Sequence, residues 1–142
     1  MSFITYKLDP IYIGRMSGEG EGGERLILRT DVVVAGAYAD RVRRVLFAQL
    51  SKKIKSGELD AREVARAAGE LNTILYEAFV RNLALSKGDL VRIEAPYSLS
   101  NGRIVWDLRG LRVRAFREIG EEVVEKAVEE ALKAKEAVQE RG

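Results

Sequence analysis

A chain of 142 residues with 46% hydrophobic and 32% charged residues suits one domain with a sizeable core and excludes disorder of the whole. It contains no Cys and no His, which removes disulfides, thiolate nucleophiles, Cys/His zinc sites and a Ser-His-Asp triad together. The net charge of +2 hides an asymmetry: from Glu118 onward eight acidic and four basic residues give −4, leaving +6 on the preceding chain.

For catalysis only carboxylate, Lys, Tyr or Arg chemistry remains, with Mg²⁺ or Mn²⁺ as the metal. Asp31, Asp40, Asp60, Asp89 and Asp107 are the carboxylates to test, yet no D-x-D cluster gathers ligands locally. No catalytic, metal or cofactor site is expected. No apolar run is long enough to span a bilayer, and MSFITYKLDP lacks a signal-peptide profile, so a soluble cytoplasmic protein is expected. Abundant Glu, Arg, Ala and Val with few Asn and Gln match a thermophile's composition.

Residues 3–15 (FITYKLDPIYIGR) alternate loosely and are split by Pro10, which predicts a bent edge strand. Residues 14–24 are Gly-rich and predict a mobile loop; the G-K-[ST] ending of a phosphate loop is absent. Residues 26–34 (LILRTDVVV) predict a strand through their β-branched content.

Residues 34–57 have no Pro and are followed by Gly57, which predicts one long helix with a stop. Tyr38, Val42, Val45, Leu46, Leu50 and Ile54 form its apolar arc, while Arg41, Arg44, Lys52 and Lys55 line up with Ala48 as a basic stripe. Arg43 falls inside the arc, where it needs a carboxylate such as Asp31 or an oligomer rim. A second helix opens at Asp60, whose spacing to Glu63 predicts a capping box. Val64, Ala68, Leu71, Leu75, Ala78 and Phe79 share its apolar face, and the short link predicts an antiparallel helix pair.

Residues 90–99 (LVRIEAPYSL) alternate, and Asn101-Gly102 is a strong hairpin signal that sets Tyr97 opposite Trp106 and Glu94 opposite Arg109. Residues 111–116 return as a further strand, giving a three-stranded meander whose other face shows Arg92, Arg103, Arg109, Arg112 and Arg114. Residues 119–140 predict an acidic C-terminal helix with an Ala-rich seam at Val124, Ala127, Ala131, Ala134 and Val138. The expected fold is α+β in one domain: N-terminal strands and the C-terminal meander in an antiparallel sheet, covered by the helix pair, plus a C-terminal helix.

The segments AGAYADRVRRVLFAQL, ELNTILYEAF and KGDLVRIE resemble a family of small archaeal proteins, a domain of unknown function from heat-loving archaea. The resemblance runs from Leu26 to Phe116. It implies an archaeal cytoplasm and assigns no residue a role.

Two functional readings stay open. The first is a non-catalytic nucleic-acid-binding protein, DNA or RNA, that contacts phosphates through Arg41, Arg44, Lys52, Lys55, Arg103, Arg112 and Arg114. Tyr97 and Trp106 could stack bases in that reading, although Trp106 reads more naturally as core. The second is a structural or interaction protein, a homodimer or a subunit of a larger assembly. A homodimer is expected under both, with no membrane contact.

Overall fold

The computed structural model describes residues 24–141. The expectations for residues 3–15 and for the Gly-rich stretch before Glu24 lie outside them. The elements run β1 (Glu24–Arg29), β2 (Val33–Val34), a 3₁₀ turn (Ala35–Ala37), α1 (Tyr38–Gln49), α2 (Ser51–Lys55), α3 (Ala61–Tyr76) and a π-helical turn (Glu77–Asn82). Then follow β3 (Leu90–Ser100), β4 (Arg103–Trp106), a second 3₁₀ turn (Leu108–Gly110), β5 (Arg112–Phe116) and α4 (Glu121–Arg141). Among the described residues the strands make one antiparallel sheet, and α1 and α3 pack on one face of it. The α+β expectation holds.

The sheet is built on β3. Its first half pairs with β2 and β5, its second half with β1 and β4. Alternation sends Val91, Ile93, Ala95 and Tyr97 into the core, where they meet Leu28, Ile104, Trp106 and Val113. From the helical side come Val42, Leu46 and Leu50 of α1 with Val64, Leu71 and Leu75 of α3. Trp106 Nε1 donates to Ala67 O at 2.8 Å, and its ring meets Tyr97 edge-on at 5.2 Å. Both aromatics are therefore core members, and neither is a stacking platform.

Both flanking edges of β3 are interrupted. On one side the chain leaves the ladder between Arg29 and Val33, and the Thr30 hydroxyl takes over by accepting the Ile93 amide at 3.0 Å. On the other side residues 107–111 turn away. Pro96 tolerates this: its carbonyl accepts from Asp107 N, so its missing N–H faces the stretch where the neighbouring strand has left. A Cβ on Gly110 would come within 2.9 Å of Pro96 Cγ, so only glycine fits that corner.

Several expectations need correction. The meander does not form, because β5 lies beside β3 rather than beside β4; Glu94 accordingly faces Arg112, not Arg109. The hairpin itself forms as expected, with Asn101 and Gly102 at φ of 52° and 74° and Tyr97 opposite Trp106. The long helix bends at Leu50, whose φ/ψ of −105°/9° separates α1 from α2, and Gly57 ends it at φ 83°. Arg43 points outward over the Phe47 ring at 5.4 Å, while Asp31 pairs with Arg41. Every side chain of residues 121–140 is exposed, so among the described residues nothing covers α4.

Only half of the expected capping box is present. Asp60 Oδ1 accepts from Arg62 N at 2.8 Å, but Glu63 reaches away from the helix start. Its carboxylate takes two hydrogen bonds of 2.7 Å from Arg66 and one of 2.8 Å from the Ile104 amide, which ties α3 to β4. Arg66 also donates to Ile104 O at 2.9 Å. The Arg66 guanidinium, and after it the Ile104 amide, outweigh the cost of burial and hold the Glu63 carboxyl down at about 2. A carboxyl with a lowered pKa stabilises the fold above its unfolded value, and that stability is lost as pH falls toward the folded value. Replacing Glu63 by Gln should cost on the order of 2 kcal/mol at pH 7. In urea unfolding the gap between parent and variant should close between about pH 4.5 and 2; a gap independent of pH would mean that the ion pair contributes nothing.

Candidate nucleic-acid interface

The seven basic residues expected to act together fall on two sides of the molecule. Arg44, Lys52 and Lys55 lie on exposed parts of the helical layer. Arg112 and Arg114 project from the opposite face of the sheet, since their neighbours Val113 and Ala115 point into the core. Arg41 and Arg44 are held by Asp31 and Asp40, and Arg103 bends toward Glu63 at 3.8 Å. The helix stripe and the strand arginines therefore do not form one groove.

The outer sheet face is more concentrated. Cross-strand pairing lays out its rows in order. Val34, Leu90 and Phe116 form an apolar row at one end. Arg92 stands directly opposite Arg114, then come Arg29, Glu94 and Arg112, and then Ile27 beside Pro96. Arg25 follows, reaching Asp107 Oδ2 at 3.0 Å; this ion pair offsets the burial of Asp107, whose Oδ1 has no hydrogen-bond partner. Five arginines against two carboxylates leave this face at +3.

Its electrostatics are only partly balanced. Glu94 accepts from Arg29 Nε at 2.9 Å. The Arg29 hydrogen bond, and beyond it Arg112 and Arg92, hold the Glu94 carboxyl below its usual range despite partial burial. Arg92 and Arg112 make no ion pair among the described residues. Like charges directly opposite on antiparallel strands are destabilising, so the Arg92–Arg114 pair carries a cost that a bound anion would relieve. A depression of about 150 Å³ lies between these residues, lined by Arg92, Glu94, Arg112, Val113 and Arg114. Arg114 stacks over Phe116 at 5.4 Å, and Phe116 keeps 37% of its surface exposed. Phe116 was missed as an aromatic candidate, although its i+2 spacing from Arg114 puts it on that face.

The five aspartates considered for a metal are engaged elsewhere. Asp31, Asp40, Asp89 and Asp107 pair with Arg41, Arg44, Arg117 and Arg25, and Asp60 caps α3. Among the described residues no group of three or more carboxylates could hold a metal ion, and no helix is long and apolar enough to cross a membrane.

Comparison with known proteins supports the archaeal resemblance. The family described as "ThermoDBP-related, archaea" matches residues 28–105. Among solved structures, apeThermo-DBP-RP2, crystallised bound to ssDNA dT10, superposes with a TM-score of 0.72 at 44% identity. The match covers 82% of this chain and 54% of that one, so this chain spans about half of that relative's length. A crystal structure of pfuThermo-DBP-RP1 gives a TM-score of 0.60 at 35% identity, covering 82% of both chains. No curated protein matches. With the family model matching residues 28–105, more than half of the chain, and a relative 35% identical over 82% of both chains, the chain belongs to the ThermoDBP-related family of archaea.

Proposed function

We propose that this protein is a non-catalytic single-stranded DNA-binding protein of the archaeal cytoplasm, and that it holds the strand on the outer face of its sheet. The observation that carries the reading is the directly opposed Arg92 and Arg114, neither in an ion pair among the described residues, beside the exposed Phe116. Cations facing each other across a ladder cradle phosphates, and an aromatic one row away gives a base a ring to stack on. The ssDNA in the crystal of apeThermo-DBP-RP2 supports the choice of DNA. Lys52, Lys55 and Arg44 serve here as a solvated helix surface.

The test is a salt titration with a labelled oligothymidylate. Arg92→Glu with Arg114→Glu should weaken binding to all sequences alike and lower the slope of log K against log salt by about 0.7 per lost contact. Changing Arg44, Lys52 and Lys55 to Glu together should leave that slope unchanged. The reverse pattern would move the interface to the helical layer. Trp106 emission should stay blue-shifted and unquenched on binding, because its ring is buried and its N–H is taken by Ala67.

We also infer that the protein is a homodimer joined through α4. Val124, Val128 and Leu132 are about half exposed or more on a helix that no other described element buries, and the Val124–Val138 seam has heptad-like spacing. In proteins most helical stability comes from packing of an apolar face rather than from propensity, and a second copy would supply that packing here. Light scattering should give about twice the 15.8 kDa chain mass, independent of DNA. Val124→Lys with Ala131→Lys should return the mass of one chain without altering the fold of the body. A parent of one-chain mass at micromolar concentration would defeat the inference.

A further inference from the structure

A second concavity lies just past the end of the sheet. It encloses about 230 Å³ and is lined mainly by Tyr38, Tyr76, Phe79, Val80, Leu85 and Lys87. That is below the ~300–1,000 Å³ of pockets that hold whole small molecules, so it suits one planar ring rather than a complete ligand. Tyr38 and Phe79 meet edge-on at 5.0 Å, giving the pocket a fixed aromatic wall. Tyr76 and Val80 are 48% and 45% exposed, unusual for such large side chains side by side in a packed body. The Tyr38 hydroxyl donates its one hydrogen to Asn72 O at 3.5 Å, and its oxygen can still accept from the N–H of an incoming base.

The pocket is preformed by unusual backbone. The π-helical turn Glu77–Asn82 carries Phe79 and Val80, and Ala84 beyond it is held at φ 49°. Leu85 N donates to Phe79 O and Ser86 N to Asp89 Oδ2, both at 2.9 Å, which fixes the far wall. Gly36 N donates to Lys87 O at 3.1 Å, and a Cβ on Gly36 would press on Lys87 at 3.3 Å.

Its position and charge name the occupant. Ala35 and Gly36 follow Val34 directly, and Lys87 stands three residues before Leu90, so the pocket adjoins the apolar row Val34–Leu90–Phe116. Its one charged lining residue among the described residues is a lysine, placed for a phosphate. We propose that this pocket receives one unstacked base of a single DNA strand running along the sheet face, with Lys87 on the adjoining phosphate. The proposal rests on the sheet-face reading above.

The experiment uses the full chain and a single-stranded oligodeoxynucleotide carrying one photoreactive 5-iododeoxyuridine, with crosslinked peptides mapped by mass spectrometry and affinity measured by anisotropy. Crosslinks at Tyr38 or Tyr76 are expected. Tyr76→Ala should weaken binding about tenfold, and Tyr76→Phe should restore it. Tyr76 is half exposed, so circular dichroism and melting should show the Ala variant folded. Crosslinks confined to the Phe116 strand, with Tyr76→Ala binding as the parent does, would overturn the proposal. That result leaves the sheet-face reading standing and the pocket to an apolar side chain of a protein partner. No binding by the parent would overturn both.

Discussion

Every strand described here hydrogen-bonds to β3 and to no other strand. One extended run of eleven residues thus organises the body: it fixes the position of the strands before it and after it, and through them the helices. The constraint is strict because a shift of one residue would turn Val91, Ile93, Ala95 and Tyr97 outward and bring Arg92 and Glu94 into the core. Burying those charges without partners would cost far more than a folded domain's whole margin of stability. Local chemistry supports the register at three points. Asn101-Gly102 sets it at one end, the Thr30 hydroxyl replaces a lost ladder bond in the middle, and Pro96 matches the gap left by residues 107–111.

The same alternation separates the two faces by chemistry. Inward residues are apolar and pack under α1 and α3, with Trp106, Glu63 and Arg66 stitching α3 to β4. Outward residues form two adjacent arginine rows flanked by apolar ones, with Arg25 beyond. A face that only had to be wet would pair its charges. Here Glu94 and Asp107 satisfy two of the five arginines, and the unmatched excess is gathered on β5 and the facing half of β3. Positive charge concentrated on one sheet face, with Phe116 and Leu90 beside it, is chemistry suited to a flexible anionic polymer that carries flat rings.

Most of the individual elements were legible in the sequence. Asp60 marked the start of α3, Gly57 the end of the preceding helix, and Asn101-Gly102 the hairpin with Tyr97 opposite Trp106. What sequence could not supply was adjacency between elements. Period-2 alternation says that Arg112 and Val113 face opposite ways, but not that β5 lies beside β3, because that depends on a turn at Asp107–Gly110 with no simple motif. The helical wheel likewise separated Arg44 and Lys52 from the core. It carries no information on whether they share a side of the molecule with Arg114. Arg43 does not pair with Asp31, because an arginine near the edge of an apolar arc can swing outward over a neighbouring ring, as it does on Phe47, while Asp31 takes Arg41. The exposed α4 seam was visible as a pattern; that no other described element covers it is a property of the folded body alone.

The central place of β3 also sets the order in which the chain can assemble. The Arg29–Glu94 contact spans 65 residues, and the Tyr97–Gln49 contact 48. Contacts of that range are slow to form, since a long loop must close before any of them is made. During synthesis β1 and β2 emerge before β3, the strand with which both pair among the described residues. In the interval α1 and α3, joined through α2 and the turn over residues 56–60, are the elements able to fold from local contacts, and they present an apolar face. The helix pair therefore acts as the template on which β3 lands, after which both of its edges are filled.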